Sequence, residues 1–175
     1  MKKYAPLILV VAYPYMIAFA IYCIFSGFLM ESVFQNDAYL LLLYIFVFWV
    51  AGLICAISFL SVSLIKKWDA CELSKVNMIV KLVQIPAYVL IFLVGLICLF
   101  TIFTFAISIL FMILDGMSIL LSGMIGLAAV IRNRSDHTLT KTSSFVHGIL
   151  QFMFCADVVS AIIIFVKAKK ARRQK

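Results

Sequence analysis

Charge is scarce in this sequence. Asp, Glu, Lys and Arg make up 13% of its 175 residues, and only seven of these are acids. A soluble globular domain carries about 25% charged residues. With 66% of residues hydrophobic, no single core of this length could bury the apolar surface, because a small domain leaves a large fraction of its atoms outside. A water-soluble globule is therefore excluded, and lipid is the solvent for most of these side chains.

Proline and glycine are also rare, three and seven residues respectively. No Pro- or Gly-rich linker divides the chain, and one domain over residues 1–175 is expected. The five cysteines (Cys23, Cys55, Cys71, Cys98, Cys155) include no C-x-x-C pair. That spacing argues against a disulfide framework or a zinc site, and four of them fall in apolar runs as small packing residues. A Gly-rich phosphate loop, a G-x-S-x-G and an H-E-x-x-H are all lacking. The expectation is a non-enzymatic chain with no cofactor and no metal. His137 and His147 have no second His or Cys at ligand spacing, so both are expected to be solvated and interfacial.

What is present is a series of long apolar runs. Their lengths predict an all-α, polytopic transmembrane helical bundle. The first run covers about residues 4–29 and contains Pro14, where a kink is expected. Met1-Lys2-Lys3 ahead of it imitates a secretory signal. The run is too long for a signal core and lacks a small-x-small site, so it reads as a first spanning helix. A short acidic stretch with Glu31 and Asp37 follows. The second run covers about residues 38–65, with Ala51, Cys55 and Ser58 as a stripe of small residues suited to helix contact.

The segment Lys66–Asn77 is the most charged internal stretch. Lacking Gly and Pro, it is expected to be helical. It lies along the interface with Trp68 at headgroup depth, or forms the extended foot of the third helix. Residues 82–131 then hold no Lys, Arg or Glu. One helix of that length would reach about 75 Å, so the run must double back. A turn at Asp115-Gly116 leaves too short a second half. A turn at Thr101–Thr104 gives adequate spans of about 82–101 and 105–131, and places Asp115 inside the membrane. A polar loop, a last run of about 145–166 and a basic tail at 167–175 complete five predicted spans.

Charge and length pull apart on the count. Five crossings, with the N-terminus inside, place nine Lys and Arg inside and six in an outside tail. Four crossings, with half of the long run re-entrant, place twelve inside and three outside. The positive-inside rule favours four. A re-entrant backbone costs several kcal/mol for each unsatisfied polar group in lipid, and five is the expectation on that ground. The net charge of +8 sits at run ends, where anionic headgroups attract it. With no basic face or aromatic platform, no nucleic acid is expected as a partner. The lipid bilayer is, and so, through helix contacts, is another membrane protein or a second copy of the chain.

Two carboxylates fall within apolar runs, Asp115 and Asp157. In the five-span arrangement both lie about 15 Å from the outer ends of their helices, so they would meet if those helices pack. Asp115, Ser118, Ser122, Gly126 and Ala129 share one face, and Ser122 and Gly126 form a small-xxx-small pair. On the last helix Asp157 shares its face with Ser160 and Ala161, with Gln151 to one side. Asp115, Asp157, Ser118, Ser122 and Gln151 are the candidate binding residues. Two readings stay open: acids that share a proton or a cation, or protonated acids that fix helix packing.

The segments KKWDACELSKVNMIVKLVQIPAYVLIF (Lys66–Phe92) and HGILQFMFCADVVSA (His147–Ala161) cover about a quarter of the chain. They resemble a family of small bacterial multi-pass membrane proteins of unknown function. The resemblance implies the same architecture in a bacterial cytoplasmic membrane and carries no activity. Two functions are compatible with these residues. One is a membrane component or accessory subunit acting through helix contacts. The other is a small ion- or proton-coupled transporter using Asp115 and Asp157.

Overall fold

The computed structural model describes residues 4–100 and 104–174. They form seven helices and no strand: α1 Ala5–Phe25, α2 Gly27–Phe34, α3 Ala38–Ile65, α4 Ala70–Leu99, α5 Phe105–Ser135, α6 Lys141–Leu150 and α7 Ala156–Arg173. Four of them, α1, α3, α4 and α5, are long and apolar enough to cross a membrane. The second run matches α3 residue for residue, and Asp37 caps it by accepting the Tyr39 N–H at 2.8 Å. The first run is divided: α1 stops at Phe25 and α2 restarts at Gly27.

The long run doubles back as expected. α4 ends at Leu99 and α5 begins at Phe105, with the Thr104 hydroxyl donating to the Cys98 carbonyl at 2.8 Å. Thr101 to Phe103 lie outside the described residues. The charged segment before it is the foot of α4. Lys66–Asp69 make the turn out of α3, Asp69 caps α4 through the Glu72 N–H at 2.9 Å, and α4 then runs for 30 residues.

α1 is one helix through Pro14, and its cost is met by a neighbour. Proline at 14 leaves the Val10 carbonyl without its helical donor. The side-chain amide of Gln84 on α4 donates to that carbonyl at 2.9 Å. The small stripe expected on α3 faces elsewhere: Ala51 and Cys55 are half-buried and Ser58 is exposed, whereas Gly52, Ala56, Phe59 and Ser63 are buried. Gly52 lets Leu121 of α5 approach; a Cβ there would lie 3.0 Å from a Leu121 methyl.

The last run corrects the expectation of a fifth span over 145–166. It is broken at Gln151–Cys155 into α6 and α7. The ends of the bundle identify what the two pieces do. Tyr4 at the start of α1 packs edge-on against Trp68, and Arg132 at the end of α5 donates to the Trp68 carbonyl at 2.8 Å. At the far end of α7, Arg172 lies 3.8 Å from Asp69. α6 starts from the loop after α5 at this same end. The pair is therefore a re-entrant hairpin that leaves and returns to one end of the bundle.

Every Lys and Arg among the described residues consequently lies at that basic end or inside the bundle, and the opposite end carries Glu31 and Asp37. Run length accounts for the reversal within 82–131, and the tail lies at the same end of the bundle as the other bases.

Candidate functional site

The tip of the hairpin is built around Lys81. It stands eleven residues into α4, about 16 Å along the helix from Ala70, and is fully buried. An ammonium has three N–H groups to place. Here they reach the Asp157 carboxylate at 2.7 Å, the Ser122 hydroxyl at 2.8 Å and the Gln151 backbone carbonyl at 3.3 Å. The last acceptor exists because the helix is broken: in a continuous helix that carbonyl would bond the amide four residues on. The break thus removes a backbone bond and presents its oxygen to a buried cation.

Asp157 sits in the first turn of α7, where the positive end of the helix dipole favours a carboxylate. Its second oxygen accepts the Val158 N–H at 2.8 Å. Both side chains of the ion pair are almost wholly shielded, at 0% and 3% exposure. The chain turns into α7 at Cys155, with φ 62° and ψ −39°, and the Ala156 N–H closes a three-residue turn on the Phe154 carbonyl at 2.7 Å. A γ-turn of this sense is strained for any residue with a Cβ.

Side chains along α4 complete the core. Ser74, Asn77, Lys81, Gln84 and Tyr88 are buried on one stripe, recurring every three or four residues. Asn77 donates to the Gln151 side-chain oxygen at 3.3 Å, and Gln151 donates in turn to Ser160 at 3.1 Å. His147 is buried, 7% exposed, with Nδ1 2.9 Å from the Ser160 hydroxyl. That corrects the expectation of a solvated histidine; His137 is exposed in its loop. Further toward the basic end, Asn133 donates to Ser74 at 2.7 Å and to the Ala129 carbonyl at 2.8 Å.

The face of α5 holding Ser118, Ser122, Gly126 and Ala129 is buried as expected. What approaches it is the hairpin tip. A Cβ at Gly126 would overlap the Gln151 side chain, and one at Gly123 would overlap the Phe152 ring. Of the candidate residues, the structure brings Asp157, Ser122 and Gln151 together on Lys81. Asp115 makes no hydrogen bond or ion pair with them, although it lies within electrostatic reach of Asp157. Asp157 is level with Ser122, and Asp115 lies seven residues away along α5, about 10 Å toward the acidic end. One Asp115 oxygen and the Ser118 hydroxyl are buried with no hydrogen-bond partner.

Lys81 is the residue that sequence reasoning missed. By sequence it stands just before the 82–131 run and counts only as one of the nine bases on the inner side. The stripe of polar residues at 74, 77, 81, 84 and 88 was the available signal, since polar groups on one face of a membrane helix turn toward protein.

A bundle of four spanning-length helices, closed by a re-entrant hairpin on a buried ion pair, defines the class: a helical membrane protein. Within that class, a family profile matches residues 3–170, and the chain belongs to DUF6652, a family of unknown function. No curated protein and no solved structure matches it.

Proposed function

We propose that this chain is a non-enzymatic integral component of a cell membrane, an accessory subunit that acts through helix contacts. The observation that carries the reading is the saturation of Lys81: three donors meet three acceptors, with both charges of the ion pair shielded. Buried charges satisfied in this way hold a fold in register, because moving any member strands the others. Asp157, bound to Lys81, is not a free carboxylate for a travelling ion.

The basic end faces the cytoplasm under the positive-inside rule. The stretch Lys167–Arg173 then lies on the anionic leaflet as a surface anchor. The partners are the bilayer and another membrane protein or a second copy; no nucleic acid is involved. By its resemblance the membrane is a bacterial cytoplasmic membrane.

The second reading, a small ion- or proton-coupled transporter, has one observation in its favour. A helix broken within the bundle, with its N-terminus beside ionisable groups, is the geometry transporters use for substrate sites. Reconstitution in liposomes decides between the two. The expectation is proton and potassium flux equal to that of protein-free vesicles, with Asp157→Asn lowering yield and thermal stability. Ion flux above background that Asp115→Asn and Asp157→Asn both abolish would establish transport instead.

A further inference from the structure

A groove of about 680 Å³ lies between the acidic-end halves of α4 and α5 and ends on the hairpin tip. Ligand sites typically occupy about 300–1,000 Å³ and combine apolar walls with a few placed polar groups. This groove has that composition. Phe92 of α4, Phe105 and Phe111 of α5, and Phe152 and Phe154 of the tip supply rings, and among the described residues that line it Asp115 is the only ionisable one. Phe154 stacks on Phe92 with centroids 6.0 Å apart, so the hairpin builds one wall. Phe92 and Phe105 are half-exposed, which leaves the groove open at the flank where lipid lies. Beside Asp115, a Cβ added at Gly116 would meet nothing within 4 Å.

Asp115 makes no hydrogen bond or ion pair with the Lys81 network, though it lies within electrostatic reach of Asp157. It stands ten residues into α5, about 15 Å from the acidic end, and one of its oxygens is buried without a partner. A carboxylate at that depth calls for a positive charge, and no basic side chain among the described residues pairs with it. Aromatic faces attract cations in turn, the more so when water is excluded. We propose that this groove binds a lipophilic monocation, its charge held by Asp115 and its apolar groups by the phenylalanines. A neutral acyl chain would fill the same space but has no use for the carboxylate.

The test uses the full chain in nanodiscs of zwitterionic phospholipid, with tetraphenylphosphonium as the probe and protein-free discs subtracted. Saturable binding is expected, weakened at least about tenfold by Asp115→Asn and retained by Asp115→Glu. Gly116→Phe should also weaken it, by filling the groove while leaving the carboxylate in place. Triphenylphosphine oxide, uncharged and of similar bulk, should bind at least about tenfold more weakly than the cation. This comparison needs only the wild-type chain and decides the matter if a variant fails to fold. No saturable binding of the cation, equal affinity for the neutral compound, or undiminished binding to a folded Asp115→Asn variant would each overturn the proposal.

Discussion

The α1–α3 half of the molecule and the α4–α7 half are held together by different means. α1 and α3 pack through apolar and small residues, among them Val10, Ile17, Ala20, Ile45, Ala56 and Phe59, all buried. Among the polar groups there, Gln84 reaches across from α4 to repair the bond that Pro14 removes. The other half has a polar centre of Lys81, Asp157, Gln151, Asn77, Ser122 and Ser160. The contrast follows from the solvent. Lipid offers no hydrophobic drive for helix association, so continuous helices associate by close packing. A broken helix exposes backbone groups that lipid cannot satisfy. The hairpin therefore exists only where side chains of α4 and α5 supply partners.

The difference between the two halves has its largest consequence in topology, where the outcome is all or none. In a background lacking the native cysteines, Lys66→Cys and Gln174→Cys should be labelled by an impermeant maleimide from the same side. Labelling from opposite sides would make 145–166 a true span and dissolve the hairpin.

The next largest effect is on the ion pair. Lys81→Met strands a buried carboxylate and should cost about 3–5 kcal/mol, read as a lowered melting temperature or lost expression. Adding Asp157→Leu should restore much of that loss. A double variant no better than Lys81→Met would show that the two residues act independently.

Substitutions of glycine compare the polar contact at the hairpin tip with the apolar contact between α3 and α5. Gly126→Ala drives a methyl into the Gln151 side chain and should cost about 1–3 kcal/mol in a thermal melt. Gly52→Ala meets only a flexible Leu121 methyl and should cost less than about 1 kcal/mol. Equal costs would mean that the polar contact at the tip is no more tightly specified than the apolar contact between α3 and α5. The smallest expected effect has the opposite sign. Cys155→Gly relieves the turn into α7 and should stabilise the protein by about 1 kcal/mol.

Much of this architecture was legible in the residues. The limits of α3, the reversal between Leu99 and Phe105 and the buried face of α5 all follow from run length and from spacing along a helix. Local pattern failed where the partner is distant. Residues 145–166 contain no Pro, and their one Gly, Gly148, lies within α6 rather than at the break. Their polar members, His147, Gln151, Asp157 and Ser160, were the visible hint that the segment turns toward protein. Asp115 and Asp157 fall level only if the last run crosses.

Residue order alone dictates that the chain partitions into lipid, where its apolar runs lie, and which helix faces carry polar groups. These follow from local hydrophobicity and from the 3.6-residue period, which need no knowledge of neighbours. Packing between distant helices dictates that the final run folds back and that Asp157 belongs to Lys81, 76 residues earlier. Breaking a helix is unfavourable on local grounds and becomes favourable only once a buried cation from another helix claims the carbonyl it releases.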